Sequence, residues 1–163
     1  MKTTMKVPWL FKVGQLTLTK RLYPRNVIDA TIRTAQPLIK EGRLYGHING
    51  RLTGLAEVSH RVTGLFRRGK TVVSTVVIMN TPCGRELLHY LRDKPGTRLV
   101  GVPGGWGQLK HQPGIAGVVT SFLLDFIDLE LATKVNDQEN GLYKILMNQA
   151  KNRKTFPVKE TNR

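Results

Sequence analysis

Apolar positions along the chain change period several times, and each change marks an element. Residues 7–19 alternate loosely, with Trp9, Phe11 and Val13 followed beyond Gly14 by Leu16 and Leu18. That pattern predicts a strand, a turn or bulge, and a second strand. Pro24 then suits the first turn of a helix, and Val27, Ile28, Ile32 and Ala35 share one face at helical spacing. Pro37 is expected to kink or end this helix, and Gly42 to close the segment. Residues 44–48 and 56–66 return to a strand period, and Arg68-Gly69-Lys70 reads as a hairpin turn. Residues 71–79 are β-branched and apolar enough for a strand buried on both faces.

A second helix is punctuated by Thr81 as cap and Pro82 at the first position, with Leu87, Leu88 and Leu91 as its buried stripe. Residues 97–109 read as a strand entering a glycine-rich bend at 101–107. Two further strands are expected at about 115–123 and 125–132, then a short helix over 137–150 and a basic tail. Together these predict one α+β domain over 1–150, a mostly antiparallel, barrel-like sheet flanked by two or three helices, with residues 151–163 as a tail. There is no repeat and no low-complexity tract.

Charge adds a direction. The chain of 163 residues carries 26 Lys and Arg against 11 acids, a formal +15. The first 70 residues hold 14 of those bases and 3 of the acids. Such a field favours polyanionic partners, either nucleic acid or an acidic protein surface. The bases are scattered singly apart from short clusters such as Arg67, Arg68 and Lys70, and Lys151, Arg153 and Lys154. No aromatic stacking motif accompanies them, so sequence-specific readout has no support. The single cysteine, Cys83, excludes an internal disulfide, and no Cys/His cluster has zinc spacing. Neither a signal peptide nor an apolar run of membrane-spanning length is present, which predicts a soluble chain made in a cytoplasm with no membrane partner.

Five segments, taken in order, resemble the prohead maturation proteases of tailed (myovirus-type) phages over about residues 9–133. They are Lys20-Arg21-Leu22-Tyr23-Pro24 before a helix; a small strand with Gly46 and Asn49; Asn80-Thr81-Pro82-Cys83-Gly84 opening a helix; Val100-Gly101-Val102 before a glycine-rich turn; and the acidic strand Phe126-Ile127-Asp128-Leu129-Glu130. The resemblance implies the β-barrel flanked by helices that this family shares with the herpesvirus assemblin.

It also implies a lost active site. Where the family carries serines in its nucleophile turn, this chain has Pro103, Gly104 and Gly105. Aligning Gly46 and Asn49 places Gly50 at the family's histidine and His47 at its glutamate. Acyl transfer needs a hydroxyl or thiol against an imidazole, and glycine and proline supply neither. Ser59 and His60, adjacent in a strand, are expected on opposite faces. Cys83 and His89, six residues apart on a helix, do not stack. Asp128 and Glu130 are expected as solvated or ion-paired acids, with no metal and no cofactor.

The expectation is therefore a catalytically inactive protease-fold protein of a phage head, a minor capsid or cement protein assembled in the host cytoplasm. It would bind the major capsid protein, with packaged DNA held through non-specific charge and self-association on the shell as further contacts. Its expected contact residues are Trp9, Phe11, Trp106, Arg67, Arg68, Lys70, Lys151, Arg153 and Lys154. For Trp106, Trp9 and Phe11 the competing reading is packing within the domain. Two other functions are carried: an active maturation protease with an atypical nucleophile, and a basic nucleic-acid-binding head protein.

Overall fold

A computed structural model describes residues 2–48 and 58–132. The helix expected over 137–150, the basic tail, Asn49, Gly50, Lys151, Arg153 and Lys154 lie outside the described residues. The elements are strand β1 (Thr4–Lys12), strand β2 (Arg21–Leu22), helix α1 (Arg25–Lys40), strands β3 (Tyr45–His47), β4 (Val58–Arg68) and β5 (Thr71–Ile78), helix α2 (Pro82–Asp93), and strands β6 (Leu99–Lys110) and β7 (Gly117–Leu131).

Six strands close on themselves in the order β7-β3-β4-β5-β1-β6, with β6 pairing back to β7, and β2 pairs with the start of β7 at Gly117 and Val118. The sheet is mixed. β1–β5, β3–β4, β4–β5 and β6–β7 run antiparallel, whereas β1–β6, β3–β7 and β2–β7 run parallel. The expectation of a mostly antiparallel sheet is corrected to that extent. Parallel neighbours require a crossover, and helix α1 lies between β2 and β3, both of which pair with β7.

Alternation sets the core as local physics requires. In β5 every second residue is buried, and Val72, Val76 and Ile78 join Val7, Val62, Leu65, Ile127 and Leu129 in one apolar cluster. Helix α1 buries Val27, Ile28, Thr31 and Ala35. The Thr31 hydroxyl donates to the carbonyls of Val27 (2.9 Å) and Phe122 (2.8 Å), tying the helix to β7. Pro37 does not end α1, which runs to Lys40. It lies on the exposed side of the last turns, where water can satisfy the carbonyl its missing N–H leaves behind. Gly42 closes the segment at φ +67°, as the sequence reading expects.

The glycine-rich segment 101–107 is not a bend. It is part of a continuous strand, paired with β7 from Leu99↔Leu131 to Lys110↔Val118. The two strands expected over 115–132 are likewise one strand, β7. Glycine reads as a turn signal in sequence, but here it serves close approach of two backbones. A Cβ at Gly105 would sit 1.9 Å from the Leu123 carbonyl oxygen, and one at Gly104 would sit 2.0 Å from the Phe126 ring. The register slips between these two glycines, and again between Gln108 and Leu109. β1 pairs with β6 at Trp9↔Gly101. Beyond that point a cleft of about 560 Å³ opens, lined by Leu10, Phe11 and Lys12 on one side and Val102 and Pro103 on the other.

Candidate functional site

Four polar side chains are buried together on three neighbouring strands: His47 on β3, Ser59 and His60 on β4, and Asp128 on β7. A slip of register builds this cluster. Gly46 pairs with His60 and His47 with Val58, so Ser59 has no opposite residue. An extra residue breaks the alternation of faces. Ser59 and His60 therefore do not point apart, contrary to the expectation from adjacency, and Ser59 Oγ lies 2.7 Å from His60 Nδ1.

On its other side, His60 reaches past β3. Its Nε2 is 2.6 Å from the Ile127 carbonyl oxygen. Gly46 makes the passage possible, since a Cβ there would stand 2.2 Å from His60 Nε2 and 1.9 Å from the same carbonyl. Asp128 is 4% exposed and accepts the His47 backbone N–H at 2.9 Å. It is a buried strand-to-strand tie, which removes the solvated alternative from the expectation of a solvated or ion-paired acid at this position.

The protonation of this cluster follows from its partners. A carbonyl oxygen can only accept, so His60 Nε2 carries the proton. Burial strips the imidazolium of its hydration and lowers the His60 pKa to about 4; the Ile127 carbonyl opposes this, and nearby His47 adds to it. The ring is therefore neutral, Nδ1 is an acceptor, and the Ser59 hydroxyl donates to it. This is a serine hydroxyl on an imidazole, the first two members of a nucleophilic triad. It is nonetheless a poor base for pH 7 chemistry, because a group titrating near 4 holds an abstracted proton weakly. Both residues are 0% exposed, and none of the cluster lines the clefts of about 560, 480 and 250 Å³.

The segment matched to the family's nucleophile turn lies one strand away. Asp128 pairs with Val102, Ile127 with Pro103 and Phe126 with Gly104. The overall architecture aligns with a solved structure, that of the bacteriophage T4 capsid assembly protease gp21, at a TM-score of 0.64. The alignment covers 78% of this chain and 96% of that one, with 12% of residues identical. The chain has a prohead-protease-like fold. No protein-family model matches it, and no curated protein matches it in sequence.

Within the prohead-protease-like fold, the expected contact residues fall into separate places. Trp9 is 3% exposed and its indole N–H donates to Ser74 Oγ at 2.9 Å, so it cannot be a docking arm. Phe11 is half-buried and stacks on Tyr23 with ring centres 4.3 Å apart. Arg67 makes a two-pronged pair with Asp29 (2.7 and 3.0 Å) and also donates to the Gly69 carbonyl, which commits it to joining β4 to α1. The guanidinium beside Asp29 holds that carboxyl below its usual range. Arg68 and Lys70 are exposed at the hairpin, and Trp106 is 76% exposed. Among the described residues, no three His, Cys, Asp or Glu side chains gather as a metal site requires.

The buried cluster is what sequence reasoning missed. Ser59 and His60, followed by Arg61 and set between the apolar positions Val58 and Val62, with a glycine-bearing strand to receive the ring, were the available signal.

Proposed function

We propose that this chain is a non-catalytic protease-fold protein of a phage head, a minor capsid or cement component that binds the major capsid protein. One observation carries the reading. The segment matched to the family's nucleophile turn is a closed-up strand, with the Phe126 ring and the Leu123 carbonyl where side chains of residues 104 and 105 would begin. A hydroxyl at those positions needs space that β7 already fills. The likeness to a capsid assembly protease supports the setting, and the +15 charge suits a location facing packaged DNA or acidic capsid surface.

The Ser59–His60 hydrogen bond favours a second reading, a hydrolase with a relocated nucleophile. Its difficulty is access. An acyl carbon must come within about 3 Å of the attacking oxygen, and Ser59 has no exposed surface. One experiment separates the two. The purified chain is incubated with capsid and scaffold proteins, and in parallel with a fluorophosphonate probe, alongside a Ser59→Ala variant. The non-catalytic reading expects neither cleavage nor labelling. Cleavage or labelling that disappears in Ser59→Ala overturns it in favour of the hydrolase.

A further inference from the structure

The outer side of β4, β5 and β1 carries bases and no acid. Residues directly opposite in an antiparallel ladder share a side of the sheet, so rows can be followed across the three strands. Arg61, Val77 and Thr4 make one row, Gly64, Thr75 and Lys6 the next, and Phe66, Val73 and Pro8 a third. Arg68 follows opposite Thr71. The other side of β5 holds Val72, Ser74, Val76 and Ile78, all buried. Side-chain contacts agree with this register. The Lys6 ammonium lies 5.7 Å, and the Arg68 guanidinium 5.9 Å, from the centre of the Phe66 ring. At the other end of the face, Lys2, Arg61 and Arg85 line one cleft of about 480 Å³ together with Val77.

These five bases are open to a ligand. Lys2, Lys6, Arg68 and Arg85 are exposed and Arg61 is half-buried. Residues 1–28 and 58–85 contain no Asp or Glu, and no described ion pair engages any of the five. Arg61 lies near Gly42, but the neighbouring Glu41 is held by Arg43 at 2.7 Å. Among the described residues, neither Glu41 nor Glu86 lines the cleft. Arg85 donates to Asn80 Oδ1 at 3.1 Å, which leaves most of its five N–H groups for another acceptor.

The chemistry of the face selects its occupant. Protein interfaces are centred on large apolar anchors. The exposed ones among the described residues are Leu16, Leu18, Trp106, Leu109 and Leu123, and none is on β4, β5 or β1. Between its bases this face offers the hydroxyls of Thr4, Thr63 and Thr75, and Lys, Arg and Thr are the side chains that position phosphates. The chain itself has no polyanion to place here. Residues 49–57 hold one base and one acid, residues 133–150 two of each, and residues 151–163 five bases and one acid. Phe66 is half-buried and flanked by two cations, so it is no platform for an unstacked base, and the fit is to a duplex backbone. From the Val77 row to Thr71, β5 runs roughly 20 Å, the length of about six base-pair steps.

We infer that the outer face of β4, β5 and β1 binds the phosphate backbone of double-stranded nucleic acid, without sequence readout, through Lys2, Lys6, Arg61, Arg68 and Arg85. Binding belongs to the chain itself; that the duplex is the packaged genome rests on the head-protein reading.

The test is fluorescence anisotropy of the full chain with a labelled DNA duplex of about 30 base pairs, titrated between about 50 and 200 mM salt. Four proteins are compared, each checked for folding by circular dichroism. They are the wild type; Lys2→Gln with Arg61→Gln and Arg85→Gln; Lys6→Gln with Arg68→Gln; and a control, Lys20→Gln with Lys40→Gln and Lys110→Gln, exposed bases away from this face. Each face variant should lose about tenfold or more in affinity and flatten the salt slope by roughly 0.9 per base removed. The control should lose less than about threefold, because charges beyond a Debye length of the duplex are screened. Lys2 and Lys6 should react with an acetylating reagent in the free chain and be shielded by the duplex. Equal losses in the control and the face variants overturn the inference in favour of undirected net charge. Lysines already shielded in the free chain overturn it by showing the face covered. A polyglutamate peptide bound as tightly as the duplex, and released by the same substitutions, hands the face to an acidic protein instead. A chain present in purified heads but without affinity for the duplex overturns this inference alone. Duplex binding through the face by a chain absent from heads supports it and sinks the head-protein reading.

Discussion

A single imidazole holds three strands in register. His60 leaves β4, crosses the bare backbone of Gly46 on β3, and ends on the Ile127 carbonyl of β7, with Ser59 closing its other nitrogen. Its native pKa of about 4 lies below the ordinary histidine value of 6.5, so in this interval the unfolded chain binds the proton and the native chain does not. Stability contributed by the neutral ring is complete above pH 6.5 and falls as pH drops from there towards 4. The whole effect is on the order of 3 kcal/mol, from about 1.4 kcal/mol per pH unit. Urea unfolding at pH 7.5, 6, 5 and 4.5 should show this slope, and His60→Gln should flatten it while lowering stability at pH 7.5. An unchanged slope in the variant would assign the proton to another group.

At the scale of elements, the two helices start differently. α1 begins after Pro24 with no side-chain cap and depends on its buried face and the Thr31 link to β7. α2 depends on Thr81, whose hydroxyl accepts from the Gly84 N–H at 3.0 Å and also donates to the Val58 carbonyl. Gly84 lets the first turn sit against the end of β5, since a Cβ there would stand 1.9 Å from the Met79 carbonyl oxygen. Thr81→Ala removes both the cap and the bridge to β4. Thermal or denaturant unfolding should register a loss of about 1–2 kcal/mol. Thr81→Ser, which keeps the hydroxyl, should recover most of that loss; equal losses would mean that the methyl group, not the cap, matters.

For the molecule as a whole, apolar contacts and the positive field respond differently to salt. Screening by salt weakens exposed charge pairs but leaves apolar burial intact or strengthened. Binding to heads should therefore fall with ionic strength yet persist at about 1 M salt, where the Debye length is about 3 Å. Non-specific DNA binding should vanish over the same range. Retention of DNA and loss of heads at high salt would reverse these roles and favour a nucleic-acid-binding protein.

Much of this molecule was legible along the chain. The β-branched strand over residues 71–78, the Thr81-Pro82 opening of α2 and the Gly69 hairpin are local properties, because strand propensity, capping and positive φ depend on near neighbours; that this strand buries one face fully, and not both as its composition suggested, was decided by its packing. The barrel's closure, its parallel pairings, the burial of Asp128 and the meeting of Ser59 with His60 were decided by the tertiary structure. They depend on which residues of distant strands stand opposite one another, and one unmatched residue in a ladder reverses a face. The glycines of β6 show the same division. Their small size was visible in sequence, but what the missing side chains make room for, the Phe126 ring and the Leu123 carbonyl, belongs to a strand some twenty residues further on.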